Sequence, residues 1–300
     1  MTREQRLVFG EVAELYDRHR PAYPNAVVDD LVELAGLEPE ALVLEVGAGT
    51  GKATSMFAAR RIRVLAVEPD AEMAAVARRV CPASPEVEIE QSDFERWDPQ
   101  GREFPLVFAA QAWHWVDPGV GFSKAARVLG PRGLLAAFWN RPVWAGAELR
   151  EVVLEGYRRT VPELLDEADP IHPANSPPSD GADWWRGVAA TSGLGGAQVR
   201  EYEWDQTYSA GDYAALLETH STVRVLDPDR RGALVDAVAR AIEAHGNELR
   251  LPFVTRLCLA WRTGAPAGRS ASRALSESRP GEPAKPTADL RGALQGGGVG

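Results

Sequence analysis

The stretch Val43-Leu44-Glu45-Val46-Gly47-Ala48-Gly49-Thr50-Gly51 decides the fold prediction for this chain. An apolar run with one acidic residue leads directly into three alternating glycines, and a helical pattern follows from Lys52 to Arg60. A strand that passes through a glycine loop into a helix places a ligand site at the carboxyl edge of a parallel sheet. Glycines let the backbone approach a ligand closely, and the helix N-terminus offers free N–H groups. We therefore expect a ligand site at residues 43–51.

The spacing of the glycines narrows the class of ligand. A phosphate-binding loop needs Gly-x-x-x-x-Gly-Lys-Ser/Thr, but Gly51-Lys52 is followed by Ala53 and preceded five residues earlier by Val46. A dinucleotide loop needs Gly-x-Gly-x-x-Gly, and here the third glycine comes one residue early. A nicotinamide-dependent reductase therefore stays as an alternative, although Tyr157 lacks the lysine of a Tyr-x-x-x-Lys pair.

Short apolar strands alternate with helical segments through the first half of the chain. This pattern is typical of a doubly wound α/β fold whose parallel sheet is covered on both faces. We expect about seven strands, mostly parallel with an antiparallel last strand, and five of them fall near residues 42–46, 64–67, 87–90, 106–110 and 134–138. Two more are predicted near residues 199–204 and 254–261.

The domain prediction follows from changes in this pattern. Residues 1–36 are interpreted as an N-terminal helical lid, and residues 37–263 as the main domain. Residues 141–195 contain tryptophans and a Pro/Ser-rich stretch, and we interpret them as an irregular insertion that caps the sheet. Residues 264–300 are rich in Gly, Pro and Ser, which predicts a disordered tail.

Composition limits the possible partners. The 300-residue chain has a formal net charge of −10, which argues against a nucleic-acid substrate. Its apolar runs are too short to cross a bilayer, and Met1 to Arg6 lack the apolar core of a signal peptide. Two cysteines cannot supply a metal cluster. We therefore expect a cytoplasmic protein that binds neither membrane nor nucleic acid, while its oligomeric state stays open.

Three further motifs follow the glycine loop in a fixed order. They are Val67-Glu68-Pro69-Asp70, Gln91-Ser92-Asp93-Phe94 and the turn-and-strand sequence from Arg127 to Leu134. With the loop, they make the chain resemble the class I S-adenosylmethionine-dependent methyltransferases over roughly residues 9–140. The resemblance is to the small-molecule branch with the ubiquinone/menaquinone-type and trans-aconitate-type enzymes. It implies a Rossmann-like sheet and S-adenosyl-L-methionine as cofactor.

The resemblance assigns a part of the cofactor to each motif. Glu45 would orient the methionine amino end, Glu68 would accept from the ribose hydroxyls, and Asp93 would take the adenine amino group. In the lid, Arg20 would pair with the cofactor carboxylate. The structural alternative is a buried hydrogen-bonded carboxylate for Glu45, a helix cap for Glu68 and Asp93, and a solvated helix face for Arg20. For Asp70 we favour a cap. The full cofactor-binding set is Tyr16, Arg20, Glu45, Gly47, Ala48, Gly49, Gly51, Glu68, Pro69, Ser92, Asp93, Phe94 and Gln111.

The end of the fourth strand, from Ala110 to Asp117, would face the transferred methyl group. His114 is the candidate general base, because its unperturbed pKa is near neutrality. Trp113, Trp115 and Trp144 are candidates for a substrate pocket, with core packing as the alternative. Amino-methylating and cytosine-methylating motifs are missing here, and Gln111 replaces the magnesium-binding Asp of catechol-type enzymes. We therefore expect a small-molecule acceptor and no metal, with a non-catalytic cofactor-binding protein as a further alternative.

Overall fold

The computed structural model describes residues 9–81, 87–144, 148–165, 179–191 and 193–263. In this part of the chain one sheet contains seven strands. They are β1 (Leu42–Val46), β2 (Arg63–Glu68), β3 (Val87–Gln91), β4 (Phe104–Ala110), β5 (Leu129–Pro142), β6 (Leu194–Tyr208) and β7 (Leu249–Arg262). Their order is β3-β2-β1-β4-β5-β7-β6. β1 to β5 are parallel, and β7 runs antiparallel to both β5 and β6, which confirms the predicted fold class.

Helices connect the strands and cover both faces of the sheet. They are α1 (Ala13–His19), α2 (Asn25–Leu34), α3 (Lys52–Ala58), α4 (Ala71–Val80), α5 (Pro118–Val128), α6 (Arg150–Thr160), α7 (Ser179–Ala190), α8 (Ala210–Glu218), α9 (Ser221–Arg224) and α10 (Pro228–Ala244). A short 3-10 turn, Trp113–Trp115, follows β4. The last residues of β1, β2 and β4 therefore meet at one edge, where the glycine loop lies.

The central strands are apolar because both of their faces are covered. Leu44 and Val46 of β1 pack into the core on one face, while Val43 packs with Phe57 of α3 on the other. All four are at most 2% exposed. Continuous apolar runs are typical of strands that are buried on both sides.

The structure corrects the predicted irregular insertion at residues 141–195. Its described parts contain α6 and α7, and β6 begins at Leu194. In α6 the apolar residues Val153, Leu154 and Tyr157 recur at helical spacing and are buried. The interpretation as irregular was wrong because it relied on the tryptophans and the Pro/Ser-rich stretch and overlooked the helical spacing of the apolar residues in α6. The predicted tail at 264–300 lies outside the described residues, as do residues 1–8 of the lid.

A third apolar core lies above the carboxyl edge of the sheet. It combines α6, α8 and α10 with the ends of β6 and β7, and its members include Val153, Leu217, Val238 and Leu249. We call these elements the cap. The lid helix α1 contacts both α4 and the cap helix α8. Lid and cap are therefore in contact beside the edge that carries the glycine loop.

Candidate active site

The glycine loop between β1 and α3 contacts the segment that follows β4. Gly47 and Gly51 have φ angles of +74° and +85°, a region that glycine enters without steric cost. A Cβ on Gly47 would lie 2.5 Å from Cβ of Ala112, and one on Gly51 would lie 2.6 Å from Sγ of Cys81. The carbonyl of Ala48 accepts from the N–H of Gly51 at 2.9 Å, which closes the turn. Backbone conformation and close packing therefore both require glycine at these two positions.

Glu68 joins the glycine loop to the end of β2. Its Oε2 accepts from the N–H of Gly49 at 2.7 Å, and its Oε1 accepts from the N–H of Asp70 at 2.9 Å. The side chain is buried. Asp70 in turn accepts from two N–H groups of α4, which confirms the predicted cap, and Pro69 lies half-buried between them. The structure thus brings the loop and the predicted ribose-binding carboxylate together.

Glu45 is a fully buried carboxylate on β1. Its Oε2 accepts a hydrogen bond from the Thr54 hydroxyl of α3 at 2.5 Å, while Oε1 has no hydrogen-bond partner among the described residues. Burial raises the pKa of Glu45 to about 8, and the Thr54 hydrogen bond opposes this rise. Leaving a buried acceptor unsatisfied costs about 1–3 kcal/mol. Glu45 therefore offers one oxygen to a ligand that carries a proton donor.

The lid places Arg20 near the same edge. Its Nε donates to the Thr219 hydroxyl at 2.7 Å, its Nη2 donates to the Thr219 carbonyl at 3.0 Å, and the guanidinium lies 5.2 Å from the ring centre of Tyr16. Burial lowers the pKa of Arg20. Burial also raises the pKa of Tyr23, with added contributions from Tyr16 and Glu45. Among the described residues, no carboxylate lies within ion-pair distance of Arg20.

The end of β3 lies beside Glu68. The N–H of Ser92 donates to the Glu68 carbonyl at 3.1 Å, and the Ser92 hydroxyl donates to the Asp93 carbonyl at 3.1 Å. The Asp93 side chain is 36% exposed, and one carboxylate oxygen lies 3.8 Å from the guanidinium of Arg96. The predicted adenine-binding carboxylate is therefore accessible next to the predicted ribose site.

Two aromatic residues of the predicted site lie in the core. Phe94 is buried, with its ring centre 6.1 Å from that of Trp113. Trp113 in turn packs against Phe122 at 5.2 Å and Trp184 at 6.1 Å. The sequence left both a pocket wall and core packing open for Trp113, and the enclosing rings favour the core alternative.

The other two predicted pocket residues lie apart. Trp144 is buried in the cap core, 6.1 Å from the ring of Tyr213. This packing favours the core alternative for Trp144 as well. Trp115 is half-buried, and its ring centre lies 6.0 Å from that of Phe9. Of the three tryptophans, Trp115 is the one that is not fully buried.

Gln111 connects the ends of β4 and β5. It has a φ of +58°, which is uncommon for a residue other than glycine. Its N–H donates to the Phe138 carbonyl at 2.8 Å, and its Nε2 donates to the Asn140 carbonyl at 3.3 Å. The Asn140 side chain then donates to the Ala22 carbonyl at 2.9 Å. The predicted cofactor residue Gln111 therefore holds the sheet edge to which the lid is attached.

His114 is held by an indole. Nε1 of Trp139 lies 3.1 Å from Nδ1 of His114 and donates to it. Partial burial lowers the pKa of His114 to about 4, and the Arg141 guanidinium adds to this, although part of the ring stays exposed. The imidazole is therefore neutral near pH 7, with its proton on Nε2. This geometry argues against the predicted general-base role, because Trp139 already occupies the basic nitrogen.

Sequence reasoning missed several residues of this site. The side chains of Thr54, Trp139 and Thr219 form hydrogen bonds with the predicted site residues Glu45, His114 and Arg20. Asn140 accepts from the side chain of Gln111 through its backbone carbonyl. Thr219 lies 199 positions from Arg20, so no local spacing pattern could have paired them. Thr54 is the exception, since a hydroxyl on the first turn of α3 could have been expected to face β1.

In the described ranges, no three His, Cys, Asp or Glu side chains converge on a position that could hold a metal ion. A search of the same ranges for a helix long and apolar enough to cross a membrane also found none.

Comparison with known sequences shows that the glycine loop lies in a segment that matches a protein-family model. Residues 43–133 match the family model of a methyltransferase domain. An uncharacterized methyltransferase of Mycobacterium tuberculosis is 29% identical over 259 residues, which cover 84% of this chain and 95% of that protein. An uncharacterized methyltransferase-like protein of Schizosaccharomyces pombe is 28% identical over 153 residues, or 50% of this chain and 59% of that protein.

Solved structures share the fold at low sequence identity. A putative type II methyltransferase from Anaeromyxobacter dehalogenans has a TM-score of 0.54 and 20% identity, covering 80% of this chain and 97% of its own. Phosphoethanolamine N-methyltransferase 2 of Haemonchus contortus, solved with phosphomonomethylethanolamine and S-adenosylhomocysteine, has a TM-score of 0.50 and 14% identity. That match covers 87% of this chain and 60% of the other.

Proposed function

We propose that this chain, an S-adenosylmethionine-dependent methyltransferase with the class I fold, transfers the methyl group to a small-molecule acceptor bound beneath the cap. The methyltransferase activity and the donor rest on the matched domain and the methyltransferase relatives. The acceptor class and the roles of individual residues are our proposal.

The orphaned Oε1 of Glu45 is the observation that carries the assignment of the cofactor site. A buried acceptor beside a glycine loop fits the protonated amino group of an amino acid. Arg20 and Glu45 both influence the pKa of Tyr23, so the two side chains lie in the same part of the edge. The guanidinium of Arg20 fits the carboxylate of the same amino acid. The amino group and the carboxylate of one ligand would thus meet an oxygen acceptor and a guanidinium.

The adenosine part fits the remaining groups of the edge. The carboxylate of Glu68 is held by the N–H groups of Gly49 and Asp70 at the end of β2, and a carboxylate is the group that would accept from ribose hydroxyls. Asp93 is accessible beside it for the adenine amino group. These residues therefore fit S-adenosylmethionine from its amino acid end to its base.

When bound, S-adenosylmethionine supplies a methyl group on a positively charged sulfur. The protein then has to align the acceptor and exclude water, and alignment alone can contribute about 7–11 kcal/mol. Lid and cap meet beside the edge through the contact between Arg20 and Thr219. In our proposal this contact holds the methionine end in place while the cap forms the acceptor side.

A small molecule is the acceptor class that the composition favours. The net charge of −10 opposes binding of a phosphate backbone. The apolar core of the cap lies above the carboxyl edge of the sheet, and an acceptor site between the two would suit a small ligand. We keep the small-molecule branch of the resembled enzymes as the proposed relationship.

Calorimetric titration with S-adenosylmethionine and with NADH tests the cofactor assignment. We expect S-adenosylmethionine to bind, and Glu45→Gln to weaken its affinity at least tenfold, or about 1.4 kcal/mol. Glu103→Gln is the matched control, because Glu103 precedes β4 at the opposite edge of the sheet, and it should leave the affinity unchanged. Preferential binding of NADH would overturn the proposal in favour of a reductase.

A screen for transfer of a tritiated methyl group tests the reaction itself. The acceptor library should span alcohols, carboxylic acids, phenols and amines below about 500 Da. We expect transfer to members of one chemical class. Tight cofactor binding without transfer to any member would favour the non-catalytic cofactor-binding alternative.

A further inference from the structure

Lys52 connects the glycine loop to the lid. It is the first residue of α3, directly after Gly51, and its Nζ donates to the backbone carbonyl of Asp17 in α1 at 2.5 Å. The same Nζ lies 3.8 Å from a carboxylate oxygen of Asp17, and both side chains are partly buried. The loop that carries the proposed cofactor site is therefore attached to the lid helix through a partly buried cation.

The charge of Lys52 is unfavourable in its own helix but favourable in the lid helix. A helix N-terminus carries partial positive charge, so a cation in the first turn of α3 is destabilising. At the C-terminal end of α1 the carbonyl groups carry partial negative charge, and a lysine there can bind them. The presence of a cation at residue 52 is therefore explained by α1 and not by α3.

The lid sequence leaves the Asp17 carbonyl without a donor from its own helix. In a continuing helix this carbonyl would accept from the N–H of residue 21, but that residue is Pro21, which has no N–H. One position earlier, the Tyr16 carbonyl accepts from the N–H of Arg20 at 3.0 Å, as the helical pattern requires. Lys52 supplies the donor that Pro21 lacks and thereby completes the last turn of α1.

The lid helix depends on such contacts because it is short. It has seven residues, and isolated helices shorter than about 12–15 residues are marginal in water. Its buried residue is Ala13, which packs with Met73 and Val76 of α4 at the beginning of the helix. Lys52 contacts the other end, so the position of that end depends on the Lys52 contact.

The end of α1 determines where Arg20 lies. Arg20 directly follows the helix with φ −68° and ψ 133°, an extended conformation that the following Pro21 favours. Asp17 is three residues earlier, so little backbone freedom separates its carbonyl from Arg20. A shift of that carbonyl would therefore also shift the guanidinium that the proposed function assigns to the cofactor carboxylate.

We propose that Lys52 is a positioning residue, which completes the last turn of α1 and thereby holds the guanidinium of Arg20 within reach of the cofactor carboxylate. The inference rests on the proposed function, because it assumes that Arg20 binds the methionine end of the cofactor. Lys52 acts through Arg20 and does not contact the cofactor itself. The glycine loop thus has two tasks: its backbone approaches the cofactor, and the side chain that follows it holds the lid.

Calorimetry with two ligands tests which part of the cofactor depends on Lys52. S-adenosylhomocysteine carries an amino group and a carboxylate, whereas methylthioadenosine has the adenosine and the sulfur without them. Lys52→Met removes the ammonium and keeps most of the apolar side chain. We expect this variant to bind S-adenosylhomocysteine at least about fivefold more weakly, and methylthioadenosine within about twofold of the original protein. Equal losses for both ligands, or no loss for either, would overturn the proposal.

Two matched variants separate the carbonyl contact from the ion pair. Lys52→Arg keeps a cation with N–H donors and should recover the affinity for S-adenosylhomocysteine to within about threefold. Asp17→Asn removes the carboxylate but leaves the backbone carbonyl, so we expect a loss below about twofold. Lys52→Arg as weak as Lys52→Met, or Asp17→Asn as weak as Lys52→Met, would count against the proposal.

Removal of Arg20 tests whether Lys52 acts through it. In Arg20→Met the guanidinium is gone, so the added change Lys52→Met should weaken S-adenosylhomocysteine binding by less than about twofold. Independent, multiplying losses would show that Lys52 contacts the cofactor directly, and the proposal would be overturned.

Hydrogen exchange of the α1 amides in the cofactor-free protein tests the lid contact without any ligand. Exchange should accelerate in Lys52→Met and stay close to that of the original protein in Asp17→Asn. Unchanged exchange in Lys52→Met would contradict the proposal, because the end of α1 would then not depend on Lys52.

Binding of S-adenosylhomocysteine to the original protein distinguishes a failure of this inference from a failure of the proposed function. If the original protein and Lys52→Met bind it equally well, the inference alone fails. If the original protein binds neither S-adenosylhomocysteine nor S-adenosylmethionine, the proposed function fails.

Discussion

The two halves of the candidate site are built by different kinds of contact. On the cofactor side, Gly49 and Glu68 are 19 residues apart and join two consecutive strands. On the lid and cap side, Arg20 and Thr219 are 199 residues apart. The first half is fixed by backbone groups at the ends of neighbouring strands, whereas the second depends on side chains that only the complete tertiary fold brings together. Substitutions on the two sides should therefore have different effects.

Gly47→Ala should produce the largest effect, because it strains the loop and displaces the end of β4. The new Cβ would lie 2.5 Å from Cβ of Ala112, at a φ of +74°. The left-handed conformation costs about 1–2 kcal/mol and overpacking about 1–3 kcal/mol. We expect urea denaturation to show a loss of about 2–4 kcal/mol and calorimetry to show no cofactor binding.

Gly36→Ala is the control for this prediction. Gly36 has a φ of +59°, but a Cβ added there would have no other atom within 4 Å, so this variant reports the conformational cost alone. Adding Ala112→Gly to Gly47→Ala should recover the part of the loss that is due to the clash. Equal losses in Gly36→Ala and Gly47→Ala would show that the loop does not depend on its contact with Ala112.

Glu45→Gln should stabilise the cofactor-free protein at high pH. The folded pKa of Glu45, about 8, is higher than the ordinary value of 4.5, so folding takes up a proton between these values. The original protein should lose stability relative to the variant as the pH rises from 5 to 8, by up to about 1.4 kcal/mol per pH unit. The difference should level off above pH 8.

Urea denaturation at pH 5, 6, 7, 8 and 9 measures this dependence. Gln is a suitable replacement because its amide oxygen can still accept from Thr54. Glu103→Gln serves again as the control and should show no such trend. A difference between Glu45→Gln and the original protein that stays constant with pH would contradict the raised pKa.

Sequence patterns predicted the secondary structure around the glycine loop well, because its contacts are local. The predicted strand at residues 42–46 agrees with β1, and Asp70 caps α4 as expected. The cap was predicted poorly: α6 was interpreted as irregular, although Val153 and Tyr157 recur at helical spacing. Nothing in the sequence around Trp139 indicates that its indole will meet His114, since that contact depends on the register of β4 and β5.

Thr219→Val should weaken the attachment of the lid without removing any charge. Thr219 is fully buried and accepts from Nε of Arg20. Loss of this buried hydrogen bond should lower the free energy of unfolding by about 1–2 kcal/mol and the affinity for S-adenosylhomocysteine by about threefold to tenfold. Hydrogen exchange of α1 should accelerate.

Thr219→Ser is the matched variant, because it keeps the hydroxyl and removes only a methyl group. It should retain most of the cofactor affinity. If the amide hydrogens of α1 exchange equally fast in Thr219→Val and Thr219→Ser, the hydroxyl of Thr219 does not hold the lid.

Glu14→Gln should have the smallest effect, although it also lies on the lid. Its carboxylate lies 2.6 Å from the guanidinium of Arg79, but the two side chains are 54% and 60% exposed. Water and salt screen such pairs. We expect no measurable change in urea denaturation at about 0.15 M salt, and a clear loss would show that the surface of the lid matters as much as its buried anchor at Thr219.

The cap has an apolar core of its own, separate from the two cores that flank the sheet. Natural selection can therefore change the residues around Val153 and Leu217 without disturbing the strands that carry the glycine loop. Among descendants of one ancestral gene, the cap should accumulate substitutions faster than residues 42–112. Acceptor preference could then diversify repeatedly during evolution while donor recognition is inherited unchanged.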